Sequence, residues 1–316
     1  MDLKELMKIK KKIEDRYLRR GIGVSIGLPT NDRGEVEDYD PVIRFHVPDD
    51  IKEHSIPSSI EGIKTEIKNV KYFATVGSIP SKYRHRKPIR PIRPGISIGN
   101  WKYTTGTLSY FIEWNGSKYI MGNHHVFLTS LNKTKSHKIV QPGYSDDPNN
   151  LIFNYVAELH KFVTINTKRI SILPLFSSCA IKGDNTVDVA IATPVVDLNP
   201  IICGEKEPIR GVKEPELGVS VRKSGRSTGV VPGIITDIDL STWVHYGKQT
   251  VLMKKCFGIS YNNKVITLPG DSGSPIYTPE MDAVGIAFAS AESGTLCVGF
   301  GIKRVITKFF KGAKIL

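Results

Sequence analysis

Gly270-Asp271-Ser272-Gly273-Ser274-Pro275 sets a serine between glycines, beside a carboxylate and ahead of a proline. Glycines at 270 and 273 give the backbone conformations barred to residues with a Cβ, so a tight turn here aims the Ser272 hydroxyl outward and neighbouring N–H groups inward. The stretch reads as a nucleophile loop in which the N–H groups of Gly270 and Ser272 form an oxyanion hole. An ordinary Gly/Ser/Asp turn has the same composition, so the reading depends on partners elsewhere in the chain. A serine hydroxyl is a poor nucleophile until a base takes its proton, and the base in turn needs an orienting carboxylate.

Both partners have candidates. Tyr119-Ile120-Met121-Gly122-Asn123-His124-His125-Val126-Phe127 is an apolar strand running into two histidines, and side chains that alternate along a strand let only one of them face the serine. Between them and the serine lies Asn185-Thr186-Val187-Asp188-Val189-Ala190-Ile191-Ala192, an apolar run interrupted by one acid, where solvated acids seldom sit. Asp184 is the competing carboxylate, but Asp184-Asn185 has turn composition.

The order His, Asp, Ser, the Gly-Asp-Ser-Gly-Ser-Pro box and the Asn-x-His-Val and Asp-Val-Ala-Ile settings resemble the chymotrypsin (trypsin-like) serine protease superfamily. The resemblance assigns His125, the histidine followed by Val126, as general base, Asp188 as its orienting acid and Ser272 as nucleophile, leaving His124 as an inert packed or surface residue. It implies a mainly β fold of two six-stranded Greek-key barrels with a C-terminal helix. Val221-Arg222-Lys223-Ser224-Gly225-Arg226-Ser227-Thr228-Gly229-Val230-Val231-Pro232-Gly233-Ile234-Ile235 is similar to the strand opening the second barrel in the bacterial α-lytic and streptogrisin-type branch. There an arginine pairs with the aspartate before the nucleophile, so the resemblance pairs Arg226 with Asp271. The two disulfide cysteines of that strand are replaced here by Arg222 and Pro232, so a secreted, disulfide-stapled existence does not follow. Aligned on the serine box, Ile266, Thr267, Phe288, Ala289, Ser290 and Gly299 border the specificity pocket. None is an acid, so a neutral or apolar residue is expected before the cut bond. Phe288 stands where many relatives carry a small or polar residue behind the triad aspartate, which leaves the support of Asp188 open.

The remaining chain sets the organisation. Its 316 residues are 40% apolar, enough for packed cores. Residues 2–20 have Leu6, Ile9, Ile13 and Tyr17 at helical spacing. The runs 21–27, 41–47 and 63–76 look like strands, and Gly21-Ile22-Gly23 lacks the helix and acid of a dinucleotide loop. These make residues 1–80 a small α/β N-terminal domain. The stretch 81–94 is basic and rich in proline, a linker, a surface strap or a processing site. The protease-like part covers 95–316, with the first barrel over about 95–192, polar surface loop at 129–154, the second barrel over about 217–302, and a helix over 303–310.

Four scattered cysteines have no metal-ligand spacing and read as buried thiols. The chemistry asks for no metal or cofactor. No apolar run is long enough to span a bilayer and the first twenty residues are too charged for a signal peptide's centre, which points to a cytoplasmic protein. A net charge of +13 is compatible with nucleic-acid contact, but no nucleic-acid motif accompanies it. A protein or peptide is the expected partner, and the oligomeric state is not written in the sequence. The competing class is a protease-fold protein serving as a basic binding or assembly subunit, which would not explain a complete triad.

Overall fold

The computed structural model describes residues 2–51, 55–74, 84–149, 151–167 and 179–316. Two sheets carry the chain. In the second half, Ser220–Gly225, Pro275–Tyr277, Asp282–Ala291, Leu296–Gly301, Gln249–Ser260 and Gly229–Tyr246 pair in that order, and the last pairs back onto the first. Six strands thus close into a barrel, which removes the exposed edges of an open sheet.

The other sheet follows the same plan. Gly106–Thr107 and Phe111–Trp114 are two parts of one interrupted run. Between them, Leu108 N–H donates to Ile96 O and Ser109 N–H to Met121 O. Counted as one strand, the run closes a ring with Ser117–Gly122, Ala190–Pro194, Tyr155–Val163, Lys138–Val140 and Ser97–Asn100. Ile98, Leu108, Phe111, Ile120, Val126 and Val156 fill its interior. Lys138–Val140 departs from the surface loop expected at 129–154. With only two apolar residues, it is too short for periodicity to reveal.

The strand Gly229–Tyr246 is 18 residues long, and Ser220–Gly225 covers only its first part. Gly23–Gly27 pairs antiparallel with the rest, from Val24 opposite Ser241 to Gly27 opposite Asp237. Val42–Val47, Ile63–Asn69 and Ser59–Ile60 then extend the sheet outward. The helix Leu3–Leu18, capped by Asp2, lays Leu6, Ile9 and Tyr17 on this layer. These side chains join Val24 and Phe45 in one core with Ile235, Phe257 and Ile276 of the second barrel. The N-terminal residues therefore extend the second barrel instead of enclosing a core of their own. The change in composition near residue 80 marks the end of that layer, and residues 75–83 lie outside those described. Of the basic side chains in the helix, Lys10 is buried and paired with Glu14 and Asp239.

From residue 84 the basic proline-rich stretch lies against the first barrel. Ile92 N–H donates to Asp197 O, and Asn199 N–H donates to Ile92 O. The C-terminal helix is one short turn, Ile302–Arg304, continuing into a wider turn over Val305–Phe309. Lys314–Ile315 then pairs with Phe111–Trp114, fastening the end of the chain to the first barrel.

The N-terminal layer encloses a buried polar network. Arg44 reaches Asp237 at 2.7 Å and Glu66 at 2.9 Å. The Ser25 hydroxyl donates to Asp237 Oδ1 at 2.8 Å, so it accepts from His46 Nε2 at 2.8 Å, leaving His46 Nδ1 to accept from the Tyr72 hydroxyl at 2.6 Å. Burial outweighs the attraction of Asp237 and holds the imidazole down to about 3. A histidine titrates near 6.5 in the unfolded chain, which therefore takes the proton first as pH falls. The contribution of His46 is complete above about pH 6.5 and is lost toward pH 3, at up to about 1.4 kcal/mol per pH unit. His46→Gln should flatten the fall of unfolding free energy between about pH 6.5 and 4 in urea titrations. An unchanged slope would show that this imidazole does not carry the effect.

Candidate active site

Ser117–Gly122 and Ala190–Pro194 are neighbours in the first barrel, with Gly122 opposite Ala190. Their adjacent ends bring His125 and Asp188 together. The Asn123 amide ties the two by donating to Asp188 O at 2.7 Å. The chain after Asn123 makes a single helical turn, His124–Phe127, so the two histidines diverge by the helical step and not by strand alternation. His125 Nδ1 meets Asp188 Oδ2 at 2.6 Å, and its backbone N–H donates to Asp188 Oδ1 at 3.3 Å. His124 turns the other way. Its Nδ1 bonds to Val163 O at 2.7 Å and its Nε2 accepts the Asn132 N–H at 2.9 Å, so both ring nitrogens are occupied. Burial keeps that ring neutral. Asp184, the competing acid, lies in a turn against Thr186 and Lys308.

Asp188 is fully buried. Burial alone would raise its carboxyl, but the attraction and hydrogen bonding of His125, with His124 and Tyr246 beside it, hold it below the ordinary value. The Tyr246 hydroxyl donates to Asp188 Oδ2 at 2.9 Å, and its ring stands edge-on to His125 with centroids 5.5 Å apart. Burial, with Asp188 adding to it, pushes that phenol well above its usual value, so it remains a donor. No local pattern marks Tyr246. It sits at the end of a strand, 58 residues from Asp188.

Gly270 and Gly273 both take φ of +97°. Space also requires them, since a Cβ on Gly270 would meet Arg226 Nη1 at 2.3 Å and one on Gly273 would meet Thr107 O at 1.9 Å. Thr107 fastens this loop to the first barrel: its N–H donates to Ser272 O at 2.7 Å and its hydroxyl to Gly270 O at 2.8 Å. A Cβ on the neighbouring Gly106 would meet both Val126 Cγ2, at 2.5 Å, and Ser272 O, at 2.9 Å. The serine loop thus abuts the turn that carries His125. The Ser272 hydroxyl donates to Phe288 O at 3.1 Å, while His125 Nε2 is buried with no hydrogen-bond partner among the described residues.

The pairing of Arg226 with Asp271 does not hold. Arg226 makes a two-pronged bond to Asp146, at 2.7 and 2.6 Å. Asp271 is held instead by Lys223 Nζ at 3.0 Å, by the Thr228 hydroxyl at 2.8 Å, and by the N–H groups of Ser227, Thr228 and Leu268. The physical reason lies in the loop around Asp146, which brings its own carboxylate to the guanidinium. Lys223, in the strand that leads into Arg226, then reaches the buried acid. Ile266, Thr267, Phe288, Ala289 and Ser290 are all buried, and the Phe288 ring packs on Phe300 at 5.7 Å. Gly299 is pressed between Ile276 and Phe257, where a Cβ would meet each at 2.9 Å. No group of three or more His, Cys, Asp or Glu side chains suited to a metal occurs among the described residues.

The chain is similar to bacterial serine proteases of chymotrypsin fold. One is a glutamic acid specific serine protease said to use a novel histidine triad in substrate binding. It is 14% identical with a TM-score of 0.48, over 71% of this chain and 100% of that one. Thermobifida fusca Protease A is 15% identical with a TM-score of 0.47, over 71% and 98%. Nocardiopsis Protease is 13% identical with a TM-score of 0.48, over 71% and 98%. No family model and no curated protein matches the chain.

Tyr246→Phe keeps the ring and removes one donor from a buried carboxylate. A hydrogen bond to a charged group is worth about 1.5–3 kcal/mol, so the variant should lose roughly that much unfolding free energy at neutral pH. A loss under about 0.5 kcal/mol in chemical denaturation would mean that Asp188 does not depend on this hydroxyl.

Proposed function

We propose that the protein is a serine endopeptidase with Ser272 as nucleophile, His125 as general base and Asp188 as the acid that orients it. The observation that carries this reading is the imidazole of His125, fixed through Nδ1 on a buried carboxylate, with its Nε2 unpartnered among the described residues where the serine loop abuts its turn. An imidazole so held presents one basic nitrogen and can accept a proton without turning.

Ser272 Oγ leaves the Phe288 carbonyl, passes its proton to His125 Nε2 and bonds to a peptide carbonyl carbon. The carbonyl π electrons move to oxygen, and the N–H groups of Gly270 and Ser272 receive the oxyanion, each such donor being worth ~3 kcal/mol. Collapse breaks the C–N bond as His125 returns the proton to the leaving amine. Water, deprotonated by the same histidine, releases the acyl group and restores the serine. Asp188 stays ionised throughout and stabilises the imidazolium, with Tyr246 steadying its second oxygen. Lys223 neutralises Asp271 beneath the loop, so the charge beside Ser272 is matched. The six residues expected around the pocket include no acid, which favours a neutral residue before the cleaved bond.

Incubation with a fluorophosphonate probe followed by peptide mapping tests the reading. Label should appear on Ser272, be absent from Ser272→Ala, and form at least about a hundredfold more slowly in His125→Ala, the lower range for a lost general base. Equal labelling of His125→Ala, or label on another residue, would replace this reading with that of a protease-shaped binding protein.

A further inference from the structure

An open cavity of about 490 Å³ lies where the helix Leu3–Leu18 meets the strands Gly229–Tyr246 and Gln249–Ser260, the segment before Asp188 and the C-terminal turn Ile302–Arg304. Five basic side chains line it: Lys8 and Lys11 from the helix, Lys254 and Lys255 from one strand, and Arg304 from the C-terminal turn. Its three carboxylates are already matched. Glu14 pairs with Lys10 at 3.2 Å, Asp239 with Lys10 at 3.3 Å and with Lys255 at 2.7 Å, and Asp184 with Lys308. That leaves Lys8, Lys11, Lys254 and Arg304, whose side chains have no ionic or hydrogen-bonding partner among the described residues.

A single unpaired lysine on a surface is ordinary and gains little from a partner. Four unmatched cations around one hollow repel each other, and a bound anion removes that repulsion. They come from three separate parts of the chain, so no local run of basic sequence accounts for their meeting. Lys254 and Arg304 are half-buried, which leaves their charges less screened than those of exposed groups. Arginine offers a planar fork that matches phosphate oxygens, and lysines act as point charges around it. The volume lies in the range of about 300–1,000 Å³ that holds small organic ligands, with room for more than one phosphate group.

We propose that this cavity binds a compact polyphosphate, a small molecule whose adjacent phosphate groups match the four unpaired cations. The site does not depend on the chemistry of Ser272. It does reach the segment that leads into Asp188: Asp184 and Thr186 line the cavity, and Lys254 N–H donates to Asn185 O at 2.9 Å. A polyphosphate that draws Lys254, Arg304 and the helix lysines together closes them around residues 184–186 and opposes local opening there.

Calorimetric titration of the full chain with tripolyphosphate tests the site. The wild type should bind one molecule saturably, with Kd below about 1 mM in low salt. Lys11→Gln combined with Lys254→Gln should weaken binding by at least about tenfold. Lys12→Gln combined with Lys118→Gln removes as much charge from exposed positions outside the cavity and should change Kd by less than about twofold. Hydrogen exchange on the wild type needs no variant, and tripolyphosphate should slow the amides of residues 184–188. Absence of saturable binding, equal losses in the two double variants, or unchanged exchange over 184–188 would overturn the proposal. So would tighter binding of a single-stranded oligonucleotide weakened alike by both pairs of substitutions, which would mark a diffuse basic face for nucleic acid. None of these outcomes bears on the labelling of Ser272.

Discussion

A carboxylate with no access to water must be matched by donors, and Asp188 gathers its donors from both barrels. His125 comes from the helical turn that follows the neighbouring strand in the first barrel, and Tyr246 comes from the tip of a long hairpin in the second. Neither barrel alone satisfies the charge, so their relative placement is set by an electrostatic demand as well as by packing. Tyr110, Met121 and Val189 meet Leu240, Val251, Phe288 and Phe300 in the core between them, which keeps that carboxylate dry. Thr107 adds a second fastening by holding the serine loop through Gly270 O and Ser272 O. The same interface therefore fixes His125, Asp188 and the loop of Ser272.

The reach of Tyr246 follows from one overlong strand. Gly229–Tyr246 closes the second barrel with its first residues and leaves the rest with an open edge, and an open edge recruits another strand. Gly23–Gly27 takes part of it, Tyr72–Ala74 another part. The N-terminal layer is thus built onto the strand whose end supports Asp188, and its polar network ends on Tyr72.

Much of this was readable where the signal is local. The glycines at 270 and 273 announce a turn because no other residue fits a left-handed backbone pressed against Arg226 and Thr107. One acid inside the run 185–192 marks Asp188, and the histidines at a strand's end mark 124 and 125. What the sequence did not disclose depends on which distant group arrives first. Arg226 and Lys223 both lie within reach of an acid, and only the folded position of the Asp146 loop decides that the arginine goes there and the lysine to Asp271. Tyr246 has no local pattern around it, and the N-terminal layer looked like a separate module because strand pairing across more than 200 residues leaves no trace in composition.

The central claim is that His125, Asp188 and Ser272 act as one unit across the barrel interface. A double-mutant cycle on peptide hydrolysis tests it most directly, because residues that act together in one step do not lose rate additively. With Ser272→Ala and His125→Ala, the account predicts that the double variant is no slower than the slower single variant. Losses that multiply, with the double variant slower by the product of the two single effects, would contradict it.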